Sequence, residues 1–326
     1  MATTGTTGTP GIRQVPGLPE EVTGQADHPA GPPRPLAPVP GRSGGRTGRR
    51  VRRGVVIALL VVMTVVFLYP FAWLLAASLK DRGQVFDNSL WPSTFHWDNY
   101  VTVWQELPLG SWMINSIGIA LLAAVTVAVS SSLVAWGFAH FRFPLRKLLF
   151  GLVLATMMLP GAVTMIPIYL IWKELGVLGT WIPLFGANLF GSAFYIFLQR
   201  QFYLGLPREL SEAARIDGAN QWSTYWRIVF PLSLPSFIIV LLFEFQASWN
   251  NLQAALIYLN AGSPEDFTAP LGIAYAMTKY SPTAGGQGDY QYVMVASLLV
   301  TLPMLALFAF GQRYFIEGVA TTGRRG

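Results

Sequence analysis

The chain has 326 residues, of which 52% are hydrophobic and 12% charged. Soluble domains are about 25% charged, so a length that would otherwise suggest two soluble domains reads here as one membrane bundle. There is no cysteine, which excludes disulfides, thiolate metal sites and a cysteine nucleophile. The three histidines, His28, His96 and His140, have no metal-ligand spacing. The net charge of +6 admits a nucleic-acid partner until the positions of the charges are known.

Residues 1–53 are rich in Gly, Pro, Thr and Arg and nearly free of large apolar side chains. Such a stretch cannot bury a core, which predicts a disordered basic tail. The apolar run after it starts too late and is too long for a secretory signal peptide, and no small-residue cleavage site followed by a soluble domain appears.

A membrane helix needs about 20 apolar residues. Six runs meet that need: Arg53–Lys80, Ser111–Phe138, Leu148–Trp172, Thr180–Gln199, Leu232–Ile257 and Tyr292–Gln312. Six spans put both termini on one side. Arg42, Arg46, Arg49, Arg50, Arg52 and Arg53 mark that side, with Arg142, Arg146 and Lys147, then Arg200, Arg208, Arg215 and Arg227, and finally Arg313, Arg324 and Arg325. Only Lys80, Arg82, Lys173 and Lys279 fall opposite. The positive-inside rule then makes the termini cytoplasmic and explains the basic balance without nucleic acid.

Pro70, the stretch LPGAVTMIP with Pro160, Gly161 and Pro167, and IPLFGANLFG interrupt the spans. Such breaks survive in a bilayer where neighbours or a wet cavity satisfy the freed backbone groups. They mark either kinks for packing or a path that moves. Two outside loops are long. Residues 80–110 carry Trp91, Trp97 and Trp104, the residue type of interfacial anchors. Residues 259–291 are too many for a mere connection.

Residues 206–235, LPRELSEAARIDGANQWSTYWRIVFPLSLP, are too charged to lie in lipid. Pro207 suits a first helical turn, RELSEAARID favours helix, and Gly218 stands where that helix should end. Trp222–Val229 reads as a second short helix, with Pro231 opening the return to the membrane. Leu210, Ile216, Trp222 and Tyr225 need burial against this chain or a partner. An amphipathic helix lying on the bilayer is the alternative.

The series Glu212-Ala213-Ala214, three residues, Gly218, nine residues, Ile228, then Pro231 and Pro235 resembles the EAA loop of ABC importer permeases. Phe230 stands where that motif usually has Leu. The likeness extends over residues 54–326, with the core at 111–314. NSIGIALLAAVTVAVSSSLVAWGFAHFRFP, SWNNL and GQRYFIEGVATTGRRG are similar to the carbohydrate branch, second permease of the maltose-transporter type, with Asn251 where an acid is common.

The resemblance implies an all-α membrane protein, the six-helix transmembrane domain of a type I importer, in a bacterial cell membrane. Its EAA loop would be a coupling helix seated in a separate ATPase, with Glu212, Ala213, Ala214, Asp217, Gly218, Ile228 and Pro231 serving the joint. The implied partners are a second homologous permease, two ATPase subunits that hold ATP and Mg, and an extracellular sugar-binding protein.

No G-x-x-x-x-G-K-[ST] occurs in the sequence, so the chain has no P-loop to cradle phosphates, is not itself an enzyme, and holds no cofactor. Glu244 lies inside an apolar run, where an ionisable group is costly and usually functional. On one unbroken helix Glu244, Ser248, Asn251 and Ala255 form a stripe, beside Gln246, Asn250 and Gln253. Sugars are bound by amides and carboxylates with aromatic rings beneath, which points to a path of Glu244, Ser248, Trp249, Asn250 and Asn251, with Asn188 and Tyr195 from the fourth span. The same groups could instead face neighbouring helices or a partner permease. A non-sugar importer is the nearest alternative. An ion-coupled transporter would want more intramembrane acids, and a membrane enzyme would want a cluster of catalytic groups.

Overall fold

A computed structural model describes residues 46–87, 89–259, 262–282 and 288–322, with side chains from 50 to 312. Among these residues the only regular elements are helices. The chain divides into two compact units, Met1–Leu60 and Val61–Gly326. In the first, the described residues belong to helix α1, Arg46–Ser78. Helix therefore begins inside the stretch expected to be disordered, and residues 1–45 lie outside the described set. The reason is local: from Arg46 to Arg53 no proline occurs, and the apolar run that follows carries no charge to Ser78.

In the second unit the apolar side chains along α1, such as Val65 at 62% and Phe67 at 71%, are exposed. They suit lipid. The centre is α3, Leu109–His140. One face of it is a stripe of small residues, Ala120, Ala123, Ala124, Val127, Ala128, Ser131 and Ala135, all buried. Small side chains let helix backbones approach closely where no hydrophobic gain drives association. Helices α7, Ala193–Leu204, and α10, Phe230–Trp249, pack there.

Five helical stretches are long and apolar enough to cross a membrane. The third expected span is not one helix. It is α4, Arg146–Thr156, and α5, Gly161–Glu174, meeting at 97°. Pro160 restricts the residue before it to extended backbone, and Pro167 deletes a further hydrogen bond. Counted as one broken span, the pair makes six. Neither helix buries a residue in the chain.

The fourth span breaks too. A short α6, Ile182–Phe185, passes into a 3₁₀ turn, Gly186–Phe190, before α7. Gly191 lies at φ +82°, a conformation glycine adopts at no steric cost. Helix α3 repairs the freed backbone: Ser130 Oγ donates to the Asn188 carbonyl at 2.9 Å, and the Ser192 N–H donates to Ser131 Oγ at 3.0 Å. This is how a break inside a membrane segment stays satisfied.

The end of α3 near Leu109 is covered by folded loops. Helix α2, Asp98–Glu106, occupies the first. The second holds a 3₁₀ turn, Pro264–Asp266, and a helix, Ala269–Lys279, so it is not an irregular connection. Trp91, Trp97 and Trp104 are all more than half exposed, as interfacial anchors should be. Lys80 is fully buried and donates to Asp87 Oδ1 and the Ser89 carbonyl, both at 2.6 Å. That bond, joined by two from Ser89, holds the Asp87 carboxyl below the usual carboxylate range. Burial pushes the Tyr280 hydroxyl up, helped by its hydrogen bond to Glu106.

Candidate functional site

The loop at the other end of α3 opens with α8, Arg208–Ile216, for which Pro207 is the N-cap. Gly218, at φ +81°, stops it. The Gly218 N–H donates to the Arg215 carbonyl at 3.1 Å and the Ala219 N–H to the Ala214 carbonyl at 2.9 Å. This pair of bonds is the Schellman stop, and it requires a residue at ease with positive φ. A Cβ at Gly218 would meet nothing within 4 Å, so backbone conformation, not space, selects glycine.

After the stop the chain differs from the expected second short helix. Asn220 caps α9, Gln221–Thr224, by accepting from the Ser223 N–H at 2.7 Å. A π turn, Tyr225–Val229, then leads into α10 without a break. Helical backbone thus runs from Gln221 to Trp249. Pro231 does not start the return to the membrane but lies within it. Pro231 and Pro235 lack N–H donors, and the wider π turn just before them relaxes the ladder where those bonds are lost.

Of the four large residues that needed burial, Tyr225 finds it in this chain at 1% exposure. Leu210, Ile216 and Trp222 are exposed, Ile216 at 87%. A cavity of about 420 Å³ brings Ala214, Asp217, Gly218 and Ile228 together beside them. Glu212 and Ala213 are exposed on α8, and Glu212 lines a different, larger cavity.

The loop has a buried anchor that the motif did not point to. Ser132 of α3 shares hydrogen bonds with the hydroxyls of Tyr203 on α7 and Tyr225, the latter at 2.6 Å. All three are at most 2% exposed. Trp136, one turn along α3, lies with its ring centroid 5.0 Å from that of Tyr225. At the rim, Ser211 Oγ of α8 is 3.3 Å from His140 Nε2. The residues between Glu212 and Pro231 are therefore tied to α3 and α7 through one serine. The only sequence sign of it was a serine run in an otherwise aliphatic span.

The second group of candidate residues divides. Glu244, Asn188 and Tyr195 come together: Asn188 Nδ2 donates to Glu244 Oε1 at 2.7 Å, and Tyr195 lies beside the same carboxylate. The carboxylate is half-buried and ties the 3₁₀ turn to α10.

The expected stripe does not continue past Trp249. Helix α10 ends there, Asn250 is its C-cap, and Asn251 caps the next helix, Leu252–Tyr258, through a 3.0 Å bond from the Ala254 N–H. Two adjacent asparagines favour such local bonds over continued helix. Asn250 and Asn251 are exposed at this break and Ser248 is partly buried. Trp249 is 3% exposed and stacks on Phe245 at 6.0 Å. Its ring fills the core and is not presented to a solute. Gln199, which the sequence reading passed over, is fully buried with neither side-chain end bonded among the described residues.

Residues 128–320 match the family described as binding-protein-dependent transport system inner membrane component. The chain is 31% identical over 263 residues to an arabinooligosaccharides transport system permease protein, AraQ, of Halalkalibacterium halodurans, covering 79% of this chain and 91% of that one. It is likewise 31% identical to the lactose transport system permease protein LacG of Rhizobium radiobacter, covering 77% and 89%. Its fold is similar to a chain of a bacterial ABC transporter involved in the import of the polysaccharide alginate, with a TM-score of 0.69 at 22% identity over 83% of this chain and 98% of that one. The matched segment holds the 206–235 loop, its serine anchor and the Glu244 cluster together. The chain belongs to the family of binding-protein-dependent transport system inner membrane components.

Proposed function

We propose that this permease forms half of a translocation path for a sugar or oligosaccharide and is driven by a separate ATPase through residues 206–235. The observation that carries the coupling role is the geometry of α8. It ends sharply at Gly218, leaves Leu210, Ile216 and Trp222 uncovered, and is held behind by Tyr225 in the Ser132 anchor. A purely structural loop would bury those apolar groups. An element that must seat in a partner and move the membrane helices needs both an open front and a firm back. Glu212, Ala213, Ala214, Asp217, Gly218 and Ile228 form the seat, and Pro231 lies in the helix that transmits the motion.

The sugar class is supported by two named relatives, which handle arabinooligosaccharides and lactose. A structural neighbour was captured with an oligosaccharide-bound periplasmic protein, which supports a binding protein as a partner here. A second, homologous permease is supported by α4 and α5, whose faces are uncovered in this chain. Asn188, Tyr195 and Glu244 brace the broken fourth span beside the path. Exposed Asn250 and Asn251 remain the groups open to a solute, with Ser248 on the turn before them. ATP and Mg belong to the ATPase partner, and the basic termini face it from the cytoplasm.

The test uses membrane vesicles holding the whole transporter, in which ATP hydrolysis and sugar uptake are measured together. Gly218→Pro, which cannot adopt positive φ, and Glu212→Lys should each leave the protein in the membrane and abolish uptake driven by ATP. Normal uptake by either variant would sink the coupling role. Uptake of the named sugars by none of the unaltered vesicles would remove the substrate class and leave the coupling role standing.

A further inference from the structure

A second cavity, of about 910 Å³, lies between α8 and the turn that joins α3 to α4. Its wall carries Arg142, Arg146, Lys147, Arg208 and Arg215 against one carboxylate, Glu212. Arg142, Lys147, Arg208 and Arg215 make no ion pair among the described residues. Arg146 donates to the Phe141 carbonyl at 2.9 Å, which fixes the turn. The orientation bias of membrane proteins explains why cations lie on this side. It does not explain why five of them line one concave wall with a single acid. Like charges gathered so closely repel unless an anion sits among them.

The level of the cavity in the membrane says which anion. His140 and Leu204 line it, and they end the spans Leu109–His140 and Ile182–Leu204. On the proposed orientation, with these helix ends at the inner face of the membrane, the cavity lies at the level of lipid headgroups. The turn also sets apolar groups at its mouth: Leu145 is 67% exposed and Phe143 37%. Leu145 is held at φ +60°, a region that a branched residue rarely occupies. A water-soluble anion gives no reason for leucine and phenylalanine there, whereas acyl chains do.

We infer that this cavity binds the phosphate group of an anionic phospholipid, with the acyl chains lying against Leu145 and Phe143. The site rests on the proposed orientation, in which this face meets the inner leaflet. A bound headgroup would neutralise the wall behind α8 and so hold the coupling element at a set height on the membrane. Basic clusters next to a membrane span bind anionic lipid at about 1 kcal/mol per cation, which is about fivefold in affinity for each one removed.

The full chain, purified in detergent with the subunits that accompany it, is titrated with phosphatidylglycerol, phosphatidylcholine and inorganic phosphate, and native mass spectrometry counts the molecules retained. Phosphatidylglycerol should be retained over phosphatidylcholine, with affinity lower by about 25-fold in Arg142→Gln/Lys147→Gln and restored by Arg142→Lys/Lys147→Arg. Retention against excess inorganic phosphate assigns the lipid. Displacement by that phosphate keeps an anion site but overturns the lipid as its source. Equal retention of both lipids, or no effect of the substitutions, overturns the site. Lipid retained by the chain stripped of its ATPase but absent from the complex that holds it shows that a protein surface fills the cavity, which also overturns the site. None of these readouts depends on transport, so a failed uptake assay leaves the result interpretable.

Discussion

The two ends of α3 are built on opposite plans. Near Leu109 the helix is clamped. Trp112 Nε1 donates to the Pro264 carbonyl at 2.7 Å, Asn115 donates to the Glu265 and Phe267 carbonyls, and Ser116 accepts from the Ala269 N–H at 2.7 Å. Trp112 is fully buried, and a Cβ on Gly272 would come within 2.2 Å of its ring. Ion pairs Lys80–Asp87 and Lys279–Glu106 close the same region. Near His140 one serine anchors an element whose front is open. The contrast teaches that the side expected to face outside is densely clamped, while the opposite side, where the coupling role is proposed, hangs on a short tether.

The largest break in that comparison should come from Trp112→Ala. Truncating a buried tryptophan costs about 3–5 kcal/mol, and it also removes one of the two hydrogen bonds to the Pro264 carbonyl. Thermal unfolding in detergent should show a large loss. Gly272→Val should follow at about 1–3 kcal/mol, because Trp112 cannot move aside without breaking its bond to Pro264. A Gly272→Val protein as stable as the parent would mean the clamped end is loosely packed.

At the other end, Ser132→Ala leaves two buried tyrosine hydroxyls short of a partner, at about 1–3 kcal/mol. Its larger effect should be functional: ATP hydrolysis should continue while uptake falls. A loss of stability equal to that of Trp112→Ala would erase the distinction between clamp and tether. Tyr225→Phe, which keeps the ring against Trp136, should do the same more mildly.

The Lys80–Asp87 bond gives a pH signature confined to the clamped end. The Asp87 pKa is lowered in the folded protein, so its contribution is present above the usual carboxylate range and is lost as pH falls through the folded value. Tryptophan emission from the 80–110 loop should change only in strong acid, and Asp87→Asn should remove that step. The smallest stability effect should be that of Ile216→Ala, within about 0.5 kcal/mol, since the side chain is exposed. Its cost should appear as weaker retention of the ATPase on a column.

Much of this was legible beforehand because it depends on residues close in sequence. The charge-free run before Ser78 dictates a helix, Gly218 dictates a stop, and Pro160 next to Gly161 marks a break. The size of that break was not legible. A proline permits a kink or a full turn, and packing chooses 97°. The polar stripe of the fifth span failed for a related reason. Its spacing assumed one helix, and the asparagine pair ended it.

The sequence by itself determined the helical membrane class, its apolar runs, the loops in which its charges gather, and the glycine that stops α8. Each follows from composition, from the hydrocarbon thickness or from the φ of a single residue. Only the tertiary structure decided which polar groups meet. Asn188 finds Glu244 across 56 residues, Ser132 finds Tyr203 across 71 and Tyr225 across 93, and Trp112 finds Pro264 across 152. In a membrane interior an unpaired polar group is costly, and which partner it finds is fixed by how the helices stack rather than by any local pattern.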